Sequence, residues 1–199
     1  MAQEAEIPVK IARAADADRV FDTIVAAFAD DPMVRWSFSD TAQYQEQFPG
    51  FARAFGGGSL TQGTAYCTDD YAGAALWFAP GAGPDEEAMM AVVHDLSEER
   101  QEAIFAVMEL MGHYHPSEPH WYLPLIGVAP ASQGKGYGSA LLRAALMRCD
   151  EDGAPAYLEA TSARNVPLYE RHGFVRLGTI QAGSSPELVP MRRESRQRK

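Results

Sequence analysis

The sequence has few cysteines, no long apolar run and few basic residues outside its last eight positions. Its two cysteines, Cys67 and Cys149, form no CxxC pair, which predicts a reducing, cytoplasmic setting and leaves a disulfide between them open. No apolar run approaches the ~18 residues that a membrane-spanning helix needs. The first residues, MAQEAEIPVKIARAAD, lack the apolar segment of a signal peptide. We therefore expect a cytoplasmic protein without a membrane partner.

The charge balance is strongly acidic. The formal net charge is −10 at pH 7, and the last eight residues carry +4, so the remaining 191 carry −14. Because phosphate binding needs lysine and arginine, such a body is a poor nucleic-acid partner. It favours cationic small molecules, or it serves solubility alone. We expect residues 1–192 to form a single domain and residues 193–199 to form a basic, disordered tail.

Three of the five histidines lie in the stretch HYHPSEPHW, without the spacing of a metal site. Two prolines interrupt this stretch, and the helical HExxH arrangement is absent, so we expect no metal. The methionines at positions 89, 90, 108 and 111 are interpreted as core filler. Neither feature therefore indicates a site of its own.

Hydrophobic periodicity and turn residues predict a mixed α/β chain. The expected strands span residues 9–15, 63–69, 71–80, 120–128, 155–161, 174–180 and 188–192, and the expected helices span residues 17–29, 44–55, 84–112 (broken near 95–97), 137–152 and 165–173. Since residues 120–160 form a strand–helix–strand crossover, the two strands of this unit should be parallel neighbours.

A glycine-rich stretch, VAPASQGKGYGSALL, precedes the helix predicted from residue 137. Glycines at a helix start leave free N–H groups and room for an anion, so this loop predicts phosphate binding. The P-loop pattern does not match. The dinucleotide fingerprint nearly fits, as Gly134-x-Gly136-x-x-Ser139 with Glu159 about twenty residues later. However, APASQ separates Val128 from the first glycine, and too little chain follows for a doubly wound sheet.

The strand before this loop contains Pro124 and Gly127, both unfavourable inside a sheet. They indicate a bulge, or a local parting from the neighbouring strand. A parted strand offers unpaired N–H and C=O groups to a ligand that carries amides. Such an edge, followed by an N–H nest for a pyrophosphate, matches the shape of coenzyme A.

Two motifs resemble those of the GCN5-related N-acetyltransferase (GNAT) superfamily. Q133-G-K-G136-Y-G138 resembles its motif A, and N165-V-P-L-Y169-E-R-H-G173-F174 resembles its motif B. The stretches AAFADDP, SEPHWYLPLIGVAP and APAYLEATSARNVPLYERHGF further resemble puromycin N-acetyltransferase and its relatives. The resemblance implies a mostly antiparallel sheet, with one parallel pair parted around the cofactor and helices on both faces.

The resemblance also implies acetyl-CoA as co-substrate and a set of residues that bind it. The expected cofactor-binding residues are Ile126, Gly127, Val128, Gln133, Gly134, Lys135, Gly136, Tyr137, Gly138, Ser139 and Asn165. Lys135 is read equally well as a solvated lysine. Tyr169 is implied as the general acid that protonates the leaving thiolate.

Glu159 interrupts the apolar run AYLEAT near the end of its strand, where a carboxylate is costly unless it is paired or functional. We expect it to be the base that takes the proton of the attacking amine, or else a static partner of Arg164. Asp30, Asp31 and His120 are expected to contact a cationic acceptor, although Asp31 before a proline also fits an ordinary turn. The acceptor pocket should come from residues 40–112.

These observations predict an N-acetyltransferase that acts on the primary amine of a small, cationic molecule by direct attack. Two alternatives remain open at this stage. One is a coenzyme A-binding module that has lost turnover, and the other is a nicotinamide-dependent oxidoreductase built on the glycine loop. The sequence names neither the acceptor nor the oligomeric state.

Overall fold

The computed structural model describes residues 7–196, whose strands join in one seven-stranded sheet. The strands are β1 (Val9–Ile11), β2 (Ala65–Thr68), β3 (Gly73–Phe78), β4 (Trp121–Val128), β5 (Ala156–Ala160), β6 (Val175–Arg176) and β7 (Val189–Arg193). The α-helices of this part of the chain are α1 (Ala17–Phe28), α2 (Pro32–Ser37), α3 (Thr41–Gly56), α4 (Gly58–Gln62), α5 (Glu86–His94), α6 (Glu98–Tyr114), α7 (Tyr137–Glu151) and α8 (Val166–Arg171).

The sheet is antiparallel except at its centre. Its strand order is β1-β2-β3-β4-β5-β7-β6, and only β4 and β5 run parallel. Their pairing is limited to Trp121 with Ala156 and Tyr122 with Tyr157, after which the strands part. The predicted fold class is confirmed, including the crossover through α7 and the parted parallel pair.

Two apolar clusters pack against opposite faces of this sheet. Leu141 and Leu146 of α7 lie on one face with Trp121. Ile24 of α1 and Phe48 of α3 lie on the other face. Each of these side chains is at most 4% exposed, and burial of a side chain of this size stabilises the fold by about 1.5–3 kcal/mol. The two layers hold the central strands rigidly between them.

A bulge in β4 lies at Pro124, as the sequence predicted. Leu76 and Phe78 of β3, two residues apart, pair with Leu125 and Tyr122 of β4, which are three residues apart. The extra residue reverses the alternation of side chains, since Leu123 packs on the α7 face and Leu125 on the α1 and α3 face. Proline fits this position because it has no N–H to donate to a ladder.

Gly127 is not part of the bulge, because the register between β3 and β4 is regular at this residue. A Cβ at this position would lie 2.7 Å from the Cβ of Ala27 in α1. The glycine therefore allows α1 to approach the sheet closely. Of the two alternatives expected from Pro124 and Gly127, the bulge lies at Pro124, and the parting of β4 from β5 includes Gly127.

The boundary expected for the basic tail is also wrong. Arg193 is the last residue of β7 and is 4% exposed. Its guanidinium donates two hydrogen bonds of 2.8 Å to the carboxylate of Asp150 and one of 3.0 Å to the carbonyl of His172. Pairing and burial hold this arginine in the sheet, so a basic residue at the end of the chain is not necessarily solvated. Residues 197–199 of the expected tail lie outside the described residues.

Other differences concern short elements. Helices α2 and α4 were not expected, and β6 has two residues where a longer strand was predicted. Both cysteines are free and buried, Cys67 on the α1 and α3 face and Cys149 on the α7 face, so the sheet separates them. Within residues 7–196, no helix combines the length and apolar character needed to cross a membrane.

Candidate active site

A cleft of about 1100 Å³ lies where β4 and β5 part. Its walls come from the second half of β4, the glycine loop with the first turn of α7, and α8. It is lined by all of the residues predicted to bind the cofactor: Ile126, Gly127, Val128, Gln133, Gly134, Lys135, Gly136, Tyr137, Gly138, Ser139 and Asn165. Residues predicted from separate motifs therefore meet in one cleft.

The glycine loop presents its backbone to this cleft. Gly134 and Gly136 have φ angles of 75° and 90°, which side-chain-bearing residues rarely adopt. Helix α7 begins directly after Gly136 and has no capping side chain. The backbone N–H groups of residues 134–139 find no acceptor within the part of the chain that the structure describes. Free donors at the positive end of a helix dipole form an anion-binding site.

Side chains of the loop hold its shape. The amide of Gln133 donates to the carbonyl of Val128 at 3.1 Å, which ties the loop back to the end of β4. The exposed Lys135 donates to the carbonyl of Ala131 at 2.9 Å. Its ammonium thus lies at the edge of the anion site, and its role there stays a prediction.

The first turn of α7 adds further contacts. The Tyr137 hydroxyl donates to the carboxylate of Asp70 at 3.0 Å, and the Ser139 hydroxyl lies 2.6 Å from Nε2 of His172. Three arginines also line the cleft, at positions 143, 164 and 171. Together with Lys135 they make this region basic, although the protein as a whole is acidic.

Tyr169 lies in α8, which starts with a proline in its first turn, and its ring packs in the cluster on the α7 face. The residue is 6% exposed and lines the cleft. Burial raises the pKa of Tyr169, and the nearby charge of Asp31 raises it further. The phenol therefore keeps its proton at neutral pH, as a general acid must.

Glu159 lies on β5 with its side chain only 4% exposed. Its Oε1 atom has no hydrogen-bond partner among residues 7–196, and Nδ1 of His115 lies 3.9 Å from it. Burial raises the pKa values of Tyr122 and Tyr157, and the adjacent Glu159 carboxylate adds to both shifts. A buried carboxylate oxygen is costly unless it accepts a hydrogen bond, so Oε1 is available to accept one from a ligand or from water.

Two histidines connect Glu159 with the surface. Nε2 of His115 lies 3.1 Å from Nε2 of His120, and Nδ1 of His120 lies 2.8 Å from the carbonyl of Glu118. Burial lowers the pKa of His120 below the usual value for histidine. A neutral His120 can accept a proton, and a water between Glu159 and His115, which lie 3.9 Å apart, would complete a path from the carboxylate to solvent.

The two aspartates predicted to contact the acceptor differ in their placement. Asp31 lines the cleft, but Oδ1 caps α2 by accepting from the backbone of Met33 and Val34, at 3.0 and 3.1 Å, and Oδ2 accepts from the Thr161 hydroxyl. Asp30 is exposed and lines neither this cleft nor the cavity described next. The structure thus brings Asp31 to the site with its acceptor atoms occupied.

A second cavity, of about 970 Å³, lies on the α1 and α3 face of the sheet. It shares Phe28, Pro124, Glu159 and Thr161 with the cleft, so the two volumes meet beside the buried carboxylate. Aromatic side chains and the methionines at positions 89, 90, 108 and 111 line it, and His120 lies on its wall. The interpretation as core filler therefore fails for Met90, Met108 and Met111, which are only partly buried and line this volume, whereas Met89 is 6% exposed and also belongs to the core.

Known proteins bear on this arrangement. The model of the acetyltransferase (GNAT) family matches residues 65–174, more than half of the chain. The chain belongs to the GNAT family. The match contains the parted strands, the glycine loop, Glu159 and α8. As a GNAT protein it is an acyltransferase, and the family uses acetyl-CoA as co-substrate.

Relatives of this GNAT protein span nearly its whole length. An uncharacterized N-acetyltransferase of Schizosaccharomyces pombe is 27% identical over 201 aligned positions, which cover 92% of this chain and 80% of that protein. A solved structure from Corynebacterium glutamicum, described as histone acetyltransferase HPA2 and related acetyltransferase, superposes with a TM-score of 0.68 at 25% identity, covering 98% and 99% of the chains. Arylalkylamine N-acetyltransferase 2 of Aedes aegypti superposes with a TM-score of 0.68 at 14% identity, covering 96% and 99%.

Sequence reasoning missed three parts of the site. His115 was considered only as a metal ligand, whereas in the structure it lies between Glu159 and His120. Within residues 7–196, no group of three His, Cys, Asp or Glu is placed to hold a metal ion. Arg143 could have been found, since it follows Ser139 by one helical turn and its guanidinium lies 3.3 Å from the serine hydroxyl. The apolar cavity combines residues far apart in the chain, and no local pattern marks it.

Proposed function

We propose that the protein transfers the acetyl group of acetyl-CoA directly to the primary amine of a small molecule. One observation carries this proposal: the unpaired carboxylate of Glu159 is buried where a cleft with an anion nest meets a second cavity. Agmatine N-acetyltransferase, a structural neighbour with a TM-score of 0.67 and 11% identity, is named for such an acceptor. The small-amine acceptor of this chain is a proposal supported by the cavity beside Glu159.

The cleft fits acetyl-CoA on two grounds. Residues 134–139 offer free N–H groups to a pyrophosphate, and β4 is unpaired with β5 beyond Tyr122. We assign the backbone of Ile126 and Val128 to the amide-bearing arm, and Asn165 to the same arm from the other wall. When bound there, the cofactor supplies an acetyl thioester near the junction of the two volumes.

The acceptor reaches the site as an ammonium ion, which has no lone pair for attack. Glu159 Oε1 pairs with this ammonium and accepts its proton. The carboxylate is then restored as the proton passes through a bridging water to His115, whose Nδ1 lies 3.9 Å away, and on to the neutral His120 at the surface. The neutral amine stays held beside the thioester, and orientation of this kind removes much of the entropic barrier.

The amine nitrogen then forms a bond with the acetyl carbon, and the carbon–sulfur bond breaks. The electron pair of that bond leaves with sulfur as a thiolate. Tyr169 donates its phenolic proton to the thiolate, since burial keeps the phenol protonated. The tyrosine regains a proton from the acetylated nitrogen, directly or through solvent. The products are one amide and one thiol.

The test is a screen of primary amines with acetyl-CoA, in which free thiol release and the mass of the acetylated amine are both measured. We expect release that depends on the amine, and binding of coenzyme A by calorimetry. Binding without amine-dependent thiol would contradict the proposal and favour a binding module. Oxidation of added NADH, followed by absorbance, would instead favour the oxidoreductase interpretation of the glycine loop.

A further inference from the structure

The cavity beyond Glu159 has a composition that restricts what it can bind. Aromatic rings form much of its wall: Phe28, Trp36, Phe38, Phe48, Phe51, Phe55 and Tyr122. Methionines from three helices fill most of the rest: Met33, Met89, Met90, Met108 and Met111. The volume of about 970 Å³ is at the upper end for small-molecule sites. A ligand that fills it must bring a large apolar surface.

The charged side chains on this wall are few and acidic, and two histidines, His115 and His120, lie beside them. Among residues 7–196, its lining includes no lysine, arginine or aspartate, and its carboxylates are Glu86, Glu118 and Glu159. Glu86 is exposed in the first turn of α5, and Glu118 is already paired with Arg192. Only Glu159 is both buried and unpaired at Oε1. The cavity therefore offers one site for one ammonium group.

We propose that the acceptor is a monoamine whose single amino group is attached to a bulky aryl or alkyl body, and that polyamines are excluded. The ammonium pairs with Glu159, and the body packs among the phenylalanine and methionine side chains. A second ammonium would lie among apolar side chains, where the other two carboxylates of the wall are exposed (Glu86) or already paired (Glu118), so its lost hydration would be poorly compensated. Methionine side chains adapt their shape, so several apolar bodies should be accepted. This inference rests on the proposed function, because it names the acceptor of the same site.

The sharpest comparison uses hexylamine and 1,6-diaminohexane, which differ only at the far end of the same carbon chain. We expect kcat/KM for hexylamine to exceed that for the diamine at least 100-fold. In the series from propylamine to hexylamine, kcat/KM should rise about fourfold per methylene group, as expected for burial in an apolar site. Equal values for the two amines, or preference for the diamine, would overturn the inference.

A pair of variants places this preference in the cavity. Met108 lines the cavity and is 37% exposed, so Met108→Glu adds a hydrated carboxylate to the wall without burying it. We expect the ratio of hexylamine to diamine to fall at least tenfold in this variant. Met147→Glu is the matched control, since Met147 is 60% exposed on α7 and lines neither volume. An unchanged ratio in Met108→Glu would overturn the assignment.

Calorimetric binding of both amines, in the presence of coenzyme A, separates this inference from the proposed function. If no amine releases thiol but hexylamine binds and the diamine does not, the proposed transfer fails and the ligand class stands. If polyamines alone are acetylated, the transfer stands and the ligand class fails. If neither amine binds nor reacts, both are overturned.

Discussion

The role of Tyr169 is open to a decisive test, because Tyr169→Phe removes one oxygen atom from a ring that is otherwise packed. The ring lies in the cluster on the α7 face, at 6.1 Å from the ring of Phe174, and phenylalanine preserves that packing. No hydrogen bond to the hydroxyl occurs within residues 7–196. Since no internal hydrogen bond is lost, we expect the free energy of unfolding to change by less than about 1 kcal/mol.

Turnover should respond far more strongly. A general acid contributes about 100- to 10,000-fold, which at about 1.36 kcal/mol per tenfold corresponds to about 3–5 kcal/mol of transition-state stabilisation. We expect kcat for Tyr169→Phe to fall within this range while the dissociation constant of coenzyme A stays within about twofold, since the phenol acts only as the thiolate leaves. Because burial raises the pKa of Tyr169, its ionisation should not lower the wild-type rate between about pH 7 and pH 9.

The assay is steady-state thiol release, with calorimetry for cofactor binding and urea unfolding for stability. Tyr66→Phe is the matched control, because Tyr66 is equally buried at 6% exposure in the same cluster and lines neither volume. Its kcat should stay within about twofold of the wild type, under the same expectation. A Tyr169→Phe rate as high as that of the control would show that Tyr169 is a packing residue, and the proton donor would then be solvent.

Three other predictions concern individual contacts. Gly136→Ala and Gly153→Ala introduce a side chain at φ angles of 90° and 65° at the two ends of α7, so each should destabilise the fold by about 1–2 kcal/mol. Only Gly136→Ala should also weaken coenzyme A binding, by at least about tenfold in calorimetry, because it disturbs the N–H groups that hold the pyrophosphate. Equal affinities of the two variants would contradict the loop assignment. Glu159→Gln should be slow at neutral pH and regain rate as the pH rises and free amine accumulates, whereas rate–pH curves parallel to the wild type would contradict its role as base. Asp150→Asn should lower the free energy of unfolding by about 3 kcal/mol, measured in urea at pH 7, because it leaves the buried Arg193 without its carboxylate. Burial alone raises the pKa of Asp150, but the hydrogen bonds and charges of Arg193 and Arg196 together outweigh it and the pKa is lowered. The stabilisation should therefore be complete above about pH 4 and should be lost as the pH falls further. An Asp150→Asn protein as stable as the wild type would refute the pairing.

The sequence was most informative where function depends on local backbone conformation. The anion-binding loop could be predicted because Gly134 and Gly136 lie next to a helix start and adopt φ angles that few other residues tolerate. The bulge could be read because Pro124 cannot donate to a ladder. Glu159 could be read because a carboxylate interrupts an apolar strand. In each case the chemical constraint lies within a few neighbouring residues, so a single chain reveals it.

The parts that escaped prediction are set by packing between distant segments. The close contact at Gly127 was not predicted because its partner lies one hundred residues earlier in the chain, where the Cβ of Ala27 would come within 2.7 Å of any Cβ added at Gly127. Arg193 was assigned to a tail because its partner Asp150 lies at the end of α7. The methionines of α5 and α6 have the same local pattern whether they fill a core or line a cavity.

Pro124 lies between the cleft that the sequence predicted and the apolar cavity that it did not. It lies in the bulge of β4, just beyond the last pair between β4 and β5 at Tyr122, and it lines both volumes. The extra residue turns Leu125 toward α1 and α3 and leaves Ile126 against the opposite cluster. The parting of the strands thus opens the cleft on one side while Glu159, on the facing strand, stays within reach of the apolar cavity on the other. One bulge in the central strand accordingly joins the volume assigned to the cofactor with the volume assigned to the amine.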